Sequence, residues 1–243
     1  MICDAHCHLD LMNNMLGFIN EVKNSDLSLF AVGTTPKAYK REVQFCKNTQ
    51  NIYVGLGMHP QLVSSGYDDM QVFKALFEQN HYIGEVGLDF SKDYIRTKES
   101  QIEVFSEIIR LCEQHGEKVI SIHSLKSTSS VIEILKNYKK KNSNRYIFHW
   151  FTGSVSQVEK VIELGGYFSI NPKMLKTKSG IEIIKAIPIN HMLIETDAPF
   201  ALKKQQVDEI EKELKRTILS ISEIVGFDIS DMILKNFTKI FCY

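Results

Sequence analysis

Short apolar runs alternate with longer stretches of helical period eight times along this chain, and this alternation limits the possible folds more than any other feature. The strand-like runs are Met1–His8, Leu29–Thr34, Ile52–Met58, Tyr82–Val86, Lys118–His123, Tyr146–His149, Gly166–Ile170 and His191–Glu195. Between two of them, Thr97–His115 sets Ile102, Phe105, Ile108, Ile109 and Cys112 at the i, i+3, i+4 spacing of an amphipathic helix. A long helix is expected over Gln205–Val225 to close the series. Strand–helix units of about 25–35 residues suit either a doubly wound sheet or a barrel.

The polar residues decide between these two. His8, His59, Glu85, His123, His149 and Asp197 fall at or just past the C-terminal ends of the apolar runs. In a (β/α)₈ TIM barrel those ends converge on one face, where active sites form. An open sheet would string them along a line. We therefore expect an α/β chain folded as one (β/α)₈ TIM barrel, spanning residues 1–243 without a linker, a repeat or a low-complexity segment.

The bulk numbers exclude several function classes. A chain of 243 residues with 44% hydrophobic residues buries roughly 70–75% of its unfolded surface and needs no disulfide staples. Lys+Arg and Asp+Glu balance at 29 each, so net charge attracts neither nucleic acid nor a membrane. A polyanionic substrate must then be drawn by a local patch or by bound cations. Cys3, Cys7, Cys46, Cys112 and Cys242 form no C-x-x-C pair, which argues against a zinc knuckle and for reduced, mostly buried thiols. The N-terminus lacks the pattern of a signal peptide, and no apolar run reaches the length of a membrane span. The expected location is the cytoplasm.

The first run reads Cys3-Asp4-Ala5-His6-Cys7-His8. Strict alternation puts Asp4, His6 and His8 on one face. Two imidazoles about 7 Å apart along a strand can both reach a metal lying beyond its end. Asp4, one step deeper, can then accept the second-nitrogen proton of a ligand histidine. Glu85 sits between Gly84 and Gly87 after an apolar run, a place where a carboxylate is costly unless paired or metal-bound. Asp89 reads more simply as a turn or capping carboxylate. Ile122-His123, Phe148-His149 and Thr196-Asp197 end three further runs. Four histidines and two carboxylates (His6, His8, His123, His149, Glu85 and Asp197) suit two divalent ions of the Zn, Mn, Mg or Co type. Such a pair would clamp an oxyanion and activate water.

The motifs Asp4-Ala5-His6-Cys7-His8-Leu9-Asp10, Gly57-Met58-His59-Pro60, Gly84-Glu85-Val86-Gly87-Leu88-Asp89, Phe148-His149-Trp150-Phe151-Thr152-Gly153 and Glu195-Thr196-Asp197-Ala198-Pro199 together resemble those of the TatD-type metal-dependent deoxyribonucleases, within the wider amidohydrolase-like barrel superfamily. Asn236-Phe237 resembles that family's closing helix. The resemblance implies divalent-metal hydrolysis of DNA phosphodiesters, from ends or single strands, with DNA as the partner and no membrane. It implies that His6, His8 and Asp197 hold one ion, that His123 and His149 hold the other, and that Glu85 bridges them. It gives Asp197 the attacking water and His59 a phosphate. Leu125 stands where the family usually has Arg, with Lys126 next to it. After Phe200 the family's Pro-containing segment is missing, and Ala201-Leu202-Lys203-Lys204 leads toward a helix. The segment Phe168–Leu175 resembles a branch found in bacterial anti-phage cassettes, which implies protein partners in a defence or repair complex.

Lys126, Trp150 and Lys173 follow strand ends and are expected to contact substrate, as are the aromatic rings of Phe90, Phe151 and Phe200. Phe90 and Phe151 read more readily as packing residues. The basic run Lys139-Lys140-Lys141 with Arg145 leads into a strand, so it belongs to the opposite end of a barrel and reads as a solvated loop. Two alternatives stay open from sequence. One is a hydrolase of a small phosphoester, amide or lactone. The other is a non-catalytic barrel serving as a subunit of a larger assembly.

Overall fold

The computed structural model describes residues 1–63, 69–140 and 143–242. Eight parallel strands alternate with helices: β1 (Ile2–Cys7), α1 (Met15–Lys23), β2 (Leu27–Val32), α2 (Pro36–Cys46), β3 (Ile52–Gly55), α3 (Pro60–Val63), α4 (Met70–Phe77), β4 (Tyr82–Asp89), α5 (Lys98–His115), β5 (Val119–Leu125), α6 (Thr128–Tyr138), β6 (Arg145–His149), α7 (Val155–Glu163), β7 (Tyr167–Ile170), α8 (Lys178–Ala186), β8 (Met192–Ile194), α9 (Val207–Val225) and α10 (Ser230–Phe241). The ladders run β1-β2-β3 and β4-β5-β6-β7-β8. Leu56 N–H donates to Tyr82 O at 2.9 Å and Gly84 N–H to Leu56 O at 3.0 Å, which joins β3 to β4. Asp197 N–H donates to His6 O and His8 N–H to Ala198 O, both at 2.9 Å, which joins β1 to the segment after β8. These bonds complete the ring of a (β/α)₈ TIM barrel.

The strands read as unbroken apolar runs because both of their faces are covered, one by the barrel interior and one by helices. All six residues of β2 are buried, as are all six of β1. Helix ends follow local chemistry. Thr35 accepts the Lys37 N–H and Pro36 opens α2, which suits the first turn of a helix. Gly226, at φ 85°, ends α9 in the left-handed region.

One expectation changes. The helix expected near Gln205–Val225 is α9 (Val207–Val225), but it does not close the series. That role falls to α10, whose Phe237 and Phe241 stack at 4.4 Å and reach Phe30 and Tyr53 inside the barrel. Tyr82 donates its hydroxyl to Phe241 O at 3.0 Å. Asn236 donates to Ile189 O and Met192 O, both at 2.7 Å, pinning α10 to the start of β8. Arg145 begins β6 and Lys139 follows α6. This end of the barrel is remote from the C-terminal rim. Lys141 and Asn142 lie outside the described residues.

All five cysteines are free, and only Cys242 is exposed. Burial raises the thiols of Cys3 and Cys46 to about 12 and raises Cys7 and Cys112 as well. An aromatic disulfide reagent is therefore expected to label one thiol of the native protein quickly and five after unfolding. Rapid labelling of three or more in the native state would contradict this packing. Among the described residues no helix is long and apolar enough to cross a membrane.

Candidate metal centre

Glu85 lies on β4 and is 1% exposed. Its two oxygens face different imidazoles. Oε1 lies 2.7 Å from His123 Nδ1 and 2.9 Å from His149 Nε2. Oε2 lies 3.4 Å from His6 Nε2, 3.3 Å from His8 Nε2 and 3.4 Å from His59 Nε2. Asp197 Oδ1 completes the second group, 3.5 Å from His8 Nε2 and 3.9 Å from His6 Nε2. The six residues expected as ligands thus converge from β1, β4, β5, β6 and the segment after β8.

The donor set fits cations. His6 Nε2 and His8 Nε2 approach to 3.2 Å, and His149 Nε2 and His123 Nδ1 to 3.4 Å. Two imidazole lone pairs cannot face each other this closely without a proton or a cation between them. Without a cation the groups split sharply. Burial, with His149 adding to it, pushes His6 down to about 3. Burial also opposes charge on His8, but Asp197 and Glu85 outweigh it and hold His8 up to about 10. Burial is likewise overcome at His149 by Glu85 and Glu195, and at His123 by Asp89 and Glu85, so both are raised. Glu85 is held well below the usual carboxylate range, because the imidazoles of His59, His149 and His6 outweigh the cost of burying it.

The second ring nitrogens have their own partners, the arrangement that fixes tautomers around metal ligands. His6 Nδ1 meets Ser121 Oγ at 2.8 Å. His149 Nδ1 lies 3.4 Å from Glu195 Oε1. Glu195 in turn accepts from Ser169 Oγ and, at 3.0 Å, from Asn171 Nδ2. His123 Nε2 lies 3.3 Å from Asp89 Oδ2, which also accepts from Gln61 Nε2 at 2.8 Å. His59 Nδ1 accepts the Gln61 N–H at 3.3 Å, so the neutral ring carries its hydrogen on Nε2, aimed at the site. Burial lowers His59 and favours that neutral form.

The sequence did not reveal Glu195, Ser121, Ser169 or Asn171, and it gave Asp89 too small a role. A signal existed at some of these positions: Ser121 and His123 are two apart on β5, as are Ser169 on β7 and Asn171 just past its end, so each pair shares a face. Asp4 differs from expectation. It accepts from Thr196 N at 3.0 Å, from Thr196 Oγ1 and from the His6 backbone N–H at 3.1 Å, and it touches no imidazole. The β1–β2 register shifts between Asp4 and Cys7, which breaks the alternation that would have placed it behind His6.

A cavity of about 290 Å³ opens over the centre, with Glu85, Asp197, Trp150, Leu125 and Phe200 in its wall. Phe200 is 61% exposed, and its ring meets His8 edge-on at 5.2 Å. Lys126 and Trp150, directly after β5 and β6, and Asp197, three residues past β8, all hold positive φ (54°, 35° and 50°). Left-handed backbone at non-glycine residues costs on the order of 1–3 kcal/mol each and gathers at functional sites. Among the described residues no Lys or Arg lines this cavity. Lys126 instead lines an adjoining cavity of about 510 Å³ with Ser129 and Ser154. Lys173 lines neither of these cavities, and its N–H donates to Asn171 Oδ1 at 2.9 Å. Phe151 is buried against Phe148 and Phe168, and Phe90 is covered by Lys98.

Comparison with known proteins agrees with this geometry. The profile of the family described as "TatD related DNase" matches residues 3–242. The chain is 28% identical over 255 positions to the uncharacterized metal-dependent hydrolase YabD of Bacillus subtilis, covering 99% of both chains. It is 24% identical over 251 positions to the human deoxyribonuclease TATDN3, covering 96% of this chain and 90% of that one. The crystal structure of YJJV, a TatD homolog from Escherichia coli K12, superposes with a TM-score of 0.85 at 20% identity, covering 100% of this chain and 98% of the other. A barrel whose rim gathers imidazoles around one buried carboxylate, in a chain matched over nearly its whole length, therefore belongs to the TatD-related DNase family of metal-dependent hydrolases.

Proposed function

We propose that the centre holds two divalent cations of the Mg, Mn, Zn or Co type and hydrolyses DNA phosphodiesters at ends or in single strands. The observation that carries this is Glu85, whose Oε1 faces His123 and His149 while its Oε2 faces His6 and His8, with His59 beside them. His6, His8 and Asp197 would hold one cation and His123 and His149 the other, with Glu85 shared between them. Bound there, the cations would supply Lewis acidity toward the phosphate and lower the pKa of water. Asp197 would accept the proton of the attacking water. His59, through Nε2–H, donates to a non-bridging phosphate oxygen. With no Lys or Arg in the cavity wall among the described residues, attraction for the polyanion comes from the cations, and Lys126 acts on a neighbouring stretch of backbone. Incubation of end-labelled single-stranded DNA with Mg or Mn tests the proposal. Nucleotide release that EDTA abolishes supports it, and EDTA-insensitive release contradicts it.

Phe200 and Trp150 give the mouth two aromatic surfaces. A base stacked on the exposed Phe200 ring gains roughly 1–3 kcal/mol. Phe200→Ala is therefore expected to raise KM for an oligonucleotide about 5- to 100-fold, with kcat changed far less, in a steady-state assay. An unchanged KM would remove Phe200 from the substrate path.

A cavity wall without Lys or Arg among the described residues also suits a small phosphoester, amide or lactone. Faster turnover of any such ester than of every oligonucleotide tested would favour that substrate class. The Phe168–Leu175 segment extends the proposal to a cytoplasmic role beside protein partners in a bacterial anti-phage cassette. Unchanged phage plaque counts on deletion of the gene would end that extension.

A further inference from the structure

One imidazole of the centre breaks the pattern of the others. His8 Nδ1 is buried and has no hydrogen-bond partner. Asp10 Oδ1 is likewise buried and unpartnered, 3.9 Å from that nitrogen and too far for a direct hydrogen bond. The other Asp10 oxygen is fixed, accepting from Thr34 N at 3.0 Å and Thr34 Oγ1 at 2.5 Å. Both oxygens of Glu42 on α2 are also buried and unpartnered, although the residue is 1% exposed. Glu42 and Asp10 line one cavity of about 310 Å³, and Asp10 and His8 both lie close enough to Glu42 to act on the charge of its carboxyl. Leaving so many polar atoms unsatisfied in one corner would cost on the order of 1–3 kcal/mol each. A polar cavity of this size admits water.

We propose that Glu42 is a positioning residue of the metal centre, holding His8 through an ordered water shared with Asp10. The water accepts the Nδ1–H of His8 and donates to Asp10 Oδ1 and to a carboxylate oxygen of Glu42. With Nδ1–H fixed, Nε2 presents its lone pair toward Glu85 and Asp197, the orientation a cation needs. His8 thus obtains through α2 and a water what His149 obtains from Glu195 and His123 from Asp89. No backbone motif beside His8 supplies this partner. Glu42 lies 34 residues away, brought back by the β2–α2 connection. The inference rests on His8 being a metal ligand, so its test separates the two claims.

Cation binding to the full-length protein is measured by Mn titration, and the histidine rings are followed by ¹⁵N NMR of the cation-loaded protein. The wild type is expected to show a slowly exchanging Nδ1–H from His8. Glu42→Gln, which keeps a polar group at the water, is expected to bind Mn within about threefold of wild type. Glu42→Leu is expected to bind Mn roughly 10- to 100-fold more weakly at one site and to lose the His8 Nδ1–H signal. Wild-type Mn affinity and an unchanged His8 signal in Glu42→Leu would overturn the proposal while leaving the ligand assignment intact. Failure of the wild type to bind Mn at all would overturn both. Should the Leu variant not fold, a high-resolution crystal structure of the wild type decides. A water within hydrogen-bond distance of His8 Nδ1, Asp10 Oδ1 and Glu42 supports the proposal, and an empty position there overturns it.

Discussion

Replacing Glu85 with Gln is expected to lower hydrolysis by about a thousandfold or more and to abolish paired cation binding. Gln matches Glu in size, so the barrel has no steric reason to change. What disappears is the negative charge between two imidazole groups whose nitrogens approach to 3.2 and 3.4 Å. A neutral amide cannot bridge two cations, and its N–H₂ would face ring nitrogens that need their lone pairs for metal. Removing any single flanking histidine leaves the other group intact and should cost less than this change. Steady-state turnover and cation stoichiometry of the purified variant check the expectation together. Activity within tenfold of wild type would mean that Glu85 fills space rather than spans a metal pair.

The second large effect lies in the backbone that carries Glu85. Gly33 N–H donates to Gly84 O, and Glu85 N–H donates back to Gly33 O, both at 2.9 Å. A Cβ at Gly57 would sit 1.6 Å from that same Gly33 oxygen and 2.9 Å from Gly84 O. Both obstacles are backbone, so no side chain can swing aside. Gly57→Ala must separate β2, β3 and β4 where they present the carboxylate. Overpacking in a rigid core costs about 1–3 kcal/mol or more. At this chain length each kcal/mol lowers Tm by about 2–4 °C. A fall of about 2–12 °C, or failure to accumulate as soluble protein, is expected in a thermal melt. Gly226→Ala is the control: its φ is 85°, but nothing lies within 4 Å of the added Cβ, so only the left-handed backbone penalty of about 1–2 kcal/mol applies. Equal melting of the Gly57 variant and wild type would show that the three strands are not held this close.

What the sequence revealed and what it hid follow from the same physics. The barrel was legible because parallel strands covered on both faces read as apolar runs, and a polar residue ending such a run has few places to go except the rim. His8, His59, Glu85, His123, His149 and Asp197 all obeyed that logic. Alternation failed where the ladder is irregular, between Asp4 and Cys7 and between Ile83 and Val86, and this sent Asp4 to Thr196 instead of an imidazole. Glu195 and Asp89 were obscured because a carboxylate that supports a histidine has the same sequence appearance as one that caps a turn. Lys173 looked like a rim cation and follows β7, but it lines neither of the two cavities described at the rim. Glu42, on the buried face of α2, has no motif around it. Its significance arises only when the fold sets it behind a histidine 34 positions earlier.

Anomalous scattering from a crystal grown with Mn tests the central claim most directly. The account predicts two peaks on either side of Glu85, one beside each carboxylate oxygen, the first also ligated by His6, His8 and Asp197 and the second by His123 and His149. A single peak, or peaks that leave Glu85 outside the ligand shell, would contradict it.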